Sequence, residues 1–228
     1  MATILQIETA TPTCSAALSL NGETIALKEL AAQNIHASSL TLFIDEVMHA
    51  AGISYADLDA IAVSKGPGSY TGLRIGVSTA KGICFAVNKP LIGINTLQMM
   101  AQGFLHGTTD YQGLVCPMID ARRMEVFTAL YDPQLNEILA VSASIIDDHA
   151  YQEQLKNQQI TFIGDGAMKC RESITSPNAY FSAADFNSAA HMSSLAFEAF
   201  KRQDFKDVAY FEPYYLKDFV VTQAKKKV

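Results

Sequence analysis

Short β-prone runs dominate the start of the chain. Residues 3–7, 14–20 and 24–30 read as three strands, with Asn21-Gly22 as a two-residue hairpin signal between the last two. The period then changes. Leu40, Phe43, Ile44, Val47, Met48 and Ala51 recur at i, i+3, i+4, i+7, i+8 and i+11, one apolar stripe on a helix that Gly52 stops. Ser54 and Asp57 have the spacing of a capping box. Residues 60–64 form a short buried strand entering Gly66-Pro67-Gly68. A long helix over 70–87 ends at Asn88-Lys89-Pro90, and 91–94 is a further strand.

The second half repeats this plan. Strand 114–119 ends in Asp120 as strand 3–7 ends in Glu8, and at the same offset Ala129-Leu130 falls on Ala17-Leu18. Asp132-Pro133 takes the hairpin's place, 137–141 the third strand, and an amphipathic stretch over 147–157 precedes strand 160–163. That strand enters Gly164-Asp165-Gly166, and a helix over 188–200 closes the unit. Hairpin-linked strands followed by α/β crossovers imply mixed sheets flanked by helices. Such a duplicated unit resembles the actin and sugar-kinase superfamily (ASKHA, ribonuclease-H-like), an α/β fold whose two lobes face each other across a cleft. The expected division is 1–103 for the first lobe and 104–228 for a smaller, degenerate second lobe, with helix 188–203 returning to pack on the first.

Composition narrows the function classes. Hydrophobic residues make up 49% and charged residues 18% of 228, the balance of a globular chain rather than a disordered one. No cleavable signal pattern or 18-residue apolar stretch is seen, so a cytoplasmic protein without membrane contact is expected. Cys14, Cys84, Cys116 and Cys170 lack any C-x-x-C spacing, which suits reduced, buried thiols. A formal charge of −6 argues against gripping nucleic acid alone. The basic run Lys225-Lys226-Lys227 reads as a solvated tail.

The segment from Ser64 to Gly72 is the most unusual. A strand, a glycine turn and a helix N-terminus make a candidate anion or nucleotide site at Gly66, Gly68 and Ser69, and equally a structural turn. It has neither the Walker A nor the Rossmann spacing. Behind it Gly68, Gly72, Gly76 and Ala80 recur every fourth residue, a bare ridge that invites close approach by another helix, of the same domain or of a partner. Glu8 and Asp120 stand where an actin-like ATPase holds its carboxylates, yet serve equally well as turn-capping acids. Arg122 and Arg123 are candidates for an acidic partner, or simply neutralise Asp120 and Glu125. His36, His49, His106, His149 and His191 contain no H-x-x-x-H pair, and there is no G-x-S-x-G elbow.

Ile7-Glu8-Thr9, His36, the run Gly66-Pro67-Gly68-Ser69-Tyr70-Thr71-Gly72-Leu73-Arg74-Ile75-Gly76, Asp120-Ala121-Arg122-Arg123 with Glu125-Val126, and Pro213-Tyr214-Tyr215-Leu216 resemble the TsaB (YeaZ) family. Glu8 stands where that family more often has Asp, Met124 where glycine is common, Phe127 where tyrosine is usual and Lys217 where arginine is frequent. The resemblance implies a non-catalytic scaffold subunit of the machinery that places threonylcarbamoyl on N6 of adenosine 37 in tRNAs reading codons that begin with A. It implies partnership with TsaD, the catalytic relative, and with the ATPase TsaE. Contact with tRNA is expected only through the complex, and a homodimer when the chain is alone. The catalytic relative carries an H-x-x-x-H metal pair where this chain has Thr96 and Met100, poor ligands for iron or zinc, so no metal and no cofactor is expected. The expected docking face is helices 38–50 and 70–87, through Leu40, Phe43, Val47, Gly72, Ile75, Gly76, Thr79 and Ala80. On that reading a bulky residue at Gly76 weakens docking without unfolding the chain. Rival readings are an actin-like kinase using Glu8 and Asp120, a metalloprotease, and a tRNA-binding module.

Overall fold

The computed structural model describes residues 1–217; the Lys225–Lys227 run lies outside the described residues. Strands β1 (Thr3–Glu8), β2 (Thr13–Leu20) and β3 (Glu23–Ala31) form an antiparallel meander. Asn21 and Gly22 take φ of 52° and 89°, the paired positive values that a tight two-residue hairpin demands. Helix α1 (His36–Ala51) stops at Gly52, whose left-handed φ of 67° lets its N–H reach the His49 carbonyl. Strand β4 (Ala60–Gly66), helix α2 (Tyr70–Val87), strand β5 (Leu91–Asn95) and helix α3 (Thr96–His106) complete the first half.

The second half contains β6 (Leu114–Asp120), β7 (Glu125–Tyr131), β8 (Glu137–Ile145), α4 (Gln152–Leu155), β9 (Ile160–Ile163) and β10 (Ala179–Phe181). A 3-10 turn at Ala189–Met192 leads into α5 (Ser193–Lys201). The two sheets run β3-β2-β1-β4-β5 and β10-β9-β6-β7-β8. Reversing the second gives the same order as the first, and each pairing agrees in sense: β1 and β6 are antiparallel to β2 and β7 and parallel to β4 and β9. The duplication read from element order is therefore present strand for strand.

Side chains alternate across the first sheet. Leu5, Ile7, Leu18, Ile61 and Val63 pack with Leu40, Phe43, Ile44 and Val47 of α1 and with Val77 and Ala80 of α2. Ile4, Ala17, Ala62 and Ile94 face the other way, into a core shared with Met100 of α3, Val115 and Ile119 of β6, and Ala196 of α5. A third core, around Cys116, Leu130 and Phe162, fills the far side of the second sheet. All four cysteines are unpaired and buried, and burial pushes the thiols of Cys84 and Cys116 up to about 12.

Two elements differ from expectation. The 147–157 stretch is mostly turns, with α4 only four residues long, because Tyr151 just before it is left-handed at φ 60°. Helix α3 was not anticipated, although Asn95 caps it by accepting from the N–H groups of Leu97 and Gln98. After α5 the chain returns along the first sheet. The Lys206 N–H donates to the Leu91 carbonyl, Lys81 Nζ to the carbonyls of Ala209 and Phe211, and the Tyr214 N–H to the Lys65 carbonyl. Among the described residues, no helix is long and apolar enough to cross a membrane.

Candidate functional site

A cleft of 660 Å³ opens where the two sheets present equivalent strand ends. Its walls are Ala10–Pro12 and Gly68–Thr71 from the first half, Ile119–Arg122, Phe127 and Asp165 from the second, and Tyr214–Lys217 from the returning chain. Of the residues expected at an anion or nucleotide site, Gly68, Ser69, Asp120 and Arg122 line it; Glu8 and Gly66 do not. The Gly66 conformation, φ 113°, is one that only glycine adopts readily, and a Cβ there would lie 2.6 Å from the Tyr214 carbonyl oxygen. The Ser69 N–H at the start of α2 is already taken by the Ala10 carbonyl at 2.7 Å. Much of the glycine turn is thus closed from within.

The carboxylates divide by environment. Glu8 is wholly buried, and burial pushes its pKa up to about 7, with the charge of Asp185 adding to the effect. The Ala10 N–H, 2.5 Å from Oε1, offsets this in part. The Ser64 hydroxyl is near enough to be felt but outside hydrogen-bond geometry, which leaves Glu8 Oε2 and Ser64 Oγ without partners. Asp120 behaves oppositely. Partial burial raises its pKa, but the Lys169 ammonium and the Arg122 N–H outweigh this and hold it below the ordinary value. Asp165, whose Oδ1 accepts the Asp120 N–H, is pushed up by burial and by its acidic neighbours Asp120 and Asp185. Arg122 and Arg123 both take left-handed φ, 72° and 52°, at the tip of the β6–β7 hairpin. At the cleft mouth Arg74 lies 5.4 Å over the Tyr70 ring, and Tyr70 packs on Tyr215 with centroids 4.7 Å apart. No cluster of three His, Cys, Asp or Glu side chains suited to a metal occurs among the described residues.

The glycine ridge of α2 meets neither another helix nor open solvent. A Cβ on Gly68 would lie 2.4 Å from the Ala10 carbonyl, on Gly72 2.0 Å from the Thr9 carbonyl, and on Gly76 2.2 Å from Thr9 Oγ1. The ridge exists so that α2 can seat against the β1–β2 turn. Of the residues expected on a docking face, Leu40, Phe43, Val47 and Ala80 pack in the core under α1 and α2, and Gly72 and Gly76 are buried beside it. Ile75 and Thr79 are half-buried. A helix stripe apolar enough to be conspicuous in a sequence is the stripe the helix packs on its own sheet. The outward faces carry Ser38, Leu42, Asp45 and His49 on α1, and Thr71, Arg74, Ser78, Gly82 and Phe85 on α2, all exposed. Phe85 is 86% and Leu42 61% accessible, large apolar groups that the described residues leave uncovered.

Thr96 and Met100, one turn apart on α3, are fully buried in the core shared by both halves. A Cβ on Gly164 of the second half would come within 2.5 Å of Met100 Cε, so the methionine fills the space between the sheets.

The family model described as "TsaD: tRNA N6-adenosine threonylcarbamoyltransferase" matches residues 29–227. Over 172 residues the chain is 35% identical to the tRNA threonylcarbamoyladenosine biosynthesis protein TsaB of Escherichia coli strain K12, a match covering 72% of this chain and 71% of that relative. The chain belongs to the TsaB family. The crystallised YeaZ from Pseudomonas aeruginosa superposes with a TM-score of 0.82 at 25% identity, covering 95% of this chain and all of that one. At 9% identity, component A of (R)-2-hydroxyglutaryl-CoA dehydratase from Acidaminococcus fermentans still superposes with a TM-score of 0.53 over 90% of this chain, a likeness of fold alone. This TsaB-family chain thus has the duplicated, actin-like α/β architecture, with its two five-stranded mixed sheets.

Proposed function

We propose that the chain is the non-catalytic subunit of the assembly that transfers a threonylcarbamoyl group to N6 of adenosine 37 in tRNAs reading codons that begin with A. The observation that carries this reading is the burial of Thr96 and Met100. By resemblance they hold the positions of the catalytic relative's metal-binding histidines, and here a hydroxyl and a thioether are locked in an apolar core, offering no metal an approach. The TsaB relatives, named for threonylcarbamoyladenosine biosynthesis, supply the pathway.

The chain then contributes a surface. Its docking face toward a TsaD-like subunit is the outward side of α1 and α2, centred on Leu42 and Phe85, since an exposed aromatic in such a position is the usual anchor of an interface. A standard interface buries about 800 Å² per partner. A TsaE-like ATPase joins the assembled complex, tRNA is reached through that complex, and the work is done in the cytoplasm. Because α3 runs through position 103, we place the lobe boundary in the link at 107–113.

Titration calorimetry against a TsaD-like subunit tests the reading. Phe85→Asp is expected to weaken binding at least about tenfold with an unchanged melting curve; unchanged affinity would move the interface elsewhere. Incubation of the chain alone with ATP and tRNA tests the non-catalytic role, and turnover near about 1 s⁻¹ would favour the kinase-like reading.

A further inference from the structure

The sequence leaves two uses open for Arg122 and Arg123: contacts for an acidic partner, or neutralisation of Asp120 and Glu125. The structure gives the second task to lysines. Asp120 is paired with the Lys169 ammonium and Glu125 with that of Lys217. What Asp120 takes from Arg122 is its backbone N–H, at 2.8 Å, and neither guanidinium forms an ion pair with a described residue. Both arginines are exposed.

Their backbone sets them further apart. Between β6 and β7, Ala121 N–H donates to the Glu125 carbonyl and Glu125 N–H to the Arg122 carbonyl, which closes the hairpin tip. Arg122 at 72° and Arg123 at 52° are the one adjacent pair of non-glycine residues with positive φ among the described residues. The β2–β3 hairpin fills its two such positions with Asn21 and Gly22, residues that tolerate them. Two long side chains held at this conformational disadvantage point to a use for their charge, since strain of this kind collects at binding sites.

The surroundings indicate what that charge meets. Arg122 lines the cleft together with Tyr214, Tyr215 and Phe127. Tyr214 is 43% and Tyr215 36% accessible. Asp120 and Glu125 are each matched by a lysine, and burial pushes Asp165 toward its neutral form. The two arginines are therefore a local positive excess on a chain whose formal charge is −6. Guanidinium forks fit phosphate oxygens, and tyrosine rings give unpaired bases a stacking surface.

We propose that Arg122 and Arg123 hold backbone phosphates of single-stranded RNA, with Tyr214 and Tyr215 offering ring surface to its bases, once the chain sits in the assembled complex. The inference rests on the function proposed above and adds a direct RNA contact to it. Two phosphate contacts on an acidic chain are too few to grip RNA alone, but they add to those a partner supplies.

Binding of a tRNA lacking the modification to the complex of this chain with a TsaD-like subunit, over a series of salt concentrations, tests it. Arg122→Asn with Arg123→Gly removes both charges and installs residues that suit the backbone of the turn. This double variant is expected to melt no lower than wild type and to join the TsaD-like subunit with unchanged affinity. It should nevertheless bind tRNA about tenfold more weakly, with the slope of log K against log salt smaller by about 1.4–1.8, as the loss of two phosphate contacts requires. Arg122→Lys with Arg123→Lys keeps the charge and should retain most of the slope. Wild-type affinity and slope in the Asn-Gly variant would overturn the proposal. Loss of assembly in that variant would do the same, by making the arginines a protein contact. The isolated chain is also titrated with ATP and with inorganic phosphate; arginine-dependent binding of either below about 100 μM would assign the site to a free anion and overturn the RNA contact. A failure of the docking reading shows separately, as a wild-type chain that does not join the TsaD-like subunit when RNA is absent, and takes this inference with it.

Discussion

The Thr9 hydroxyl donates to the Gly72 carbonyl at 2.8 Å, and the same oxygen sits 2.2 Å from where a Cβ on Gly76 would have to be. One threonine on the β1–β2 turn thus pins α2 through a hydrogen bond and forbids a side chain one turn further on. Gly76→Leu is accordingly expected to cost about 3 kcal/mol or more, because the chain must either shift α2 or break that bond. Urea denaturation checks this, and a Gly76→Leu protein of wild-type stability would refute the seating of α2 on Thr9.

Gly82 is the control on the same helix. None of the described residues lies within 4 Å of a Cβ placed there, and the position is exposed. Gly82→Ala should therefore stabilise the chain by about 0.8–1.0 kcal/mol, the ordinary helix-propensity difference. A loss of stability in the isolated chain would mean that the open side of α2 is already covered.

These two glycines also mark how far the sequence could be read. The strand–strand–strand–helix–strand–glycine–helix order, α2 over 70–87 and the left-handed stop at Gly52 were all legible, because periodicity and turn chemistry are local. The capping box at Ser54 and Asp57 is present as spaced. Which side of α1 and α2 faces outward was not legible. Leu40, Phe43 and Val47 announce an apolar stripe but not what covers it, and only accessibility separates them from Leu42 and Phe85. Helix α3 carries a signal of its own, Asn95 followed by Leu97, Met100, Ala101 and Phe104 at helical spacing. The returning chain at 206–217 has no period, since it is held by backbone groups of β4, β5 and its own neighbours.

Glu8 makes stability depend on pH. Its folded pKa, about 7, lies above the ordinary value of 4.5, so folding disfavours the ionised form. The stability is full below pH 4.5 and is lost as pH rises through 7, by about 3 kcal/mol in all. Glu8→Gln should abolish this slope: its amide oxygen can accept from Ala10 N–H while its NH₂ faces the unpartnered Ser64 hydroxyl. Denaturation at pH 4.5 and pH 8 should show near-equal stability at the first and a variant more stable by about 2–3 kcal/mol at the second. A pH-independent difference would exclude a buried, protonated Glu8.

The chain returning after α5 ties the two halves together. Tyr214 N–H holds the Lys65 carbonyl on the first sheet, Tyr215 packs on Tyr70, and Lys217 reaches Glu125 on the second sheet. The Lys217–Glu125 pair is a single ion pair with a half-exposed lysine and contributes little by itself. The ring contact is the stronger hold at the cleft mouth, about 0.5–1.5 kcal/mol beyond its buried area, and the Gly66 conformation is what admits the Tyr214 backbone. Tyr215→Ala should therefore raise amide exchange across 206–217 while the cores under α1 and α2 keep their protection. Gly66→Ala, which places a methyl 2.6 Å from the Tyr214 oxygen in a backbone conformation alanine resists, should do the same and also lower the melting temperature. If exchange in this segment rises only together with global unfolding, the segment is an integral part of the first lobe rather than a separable tie.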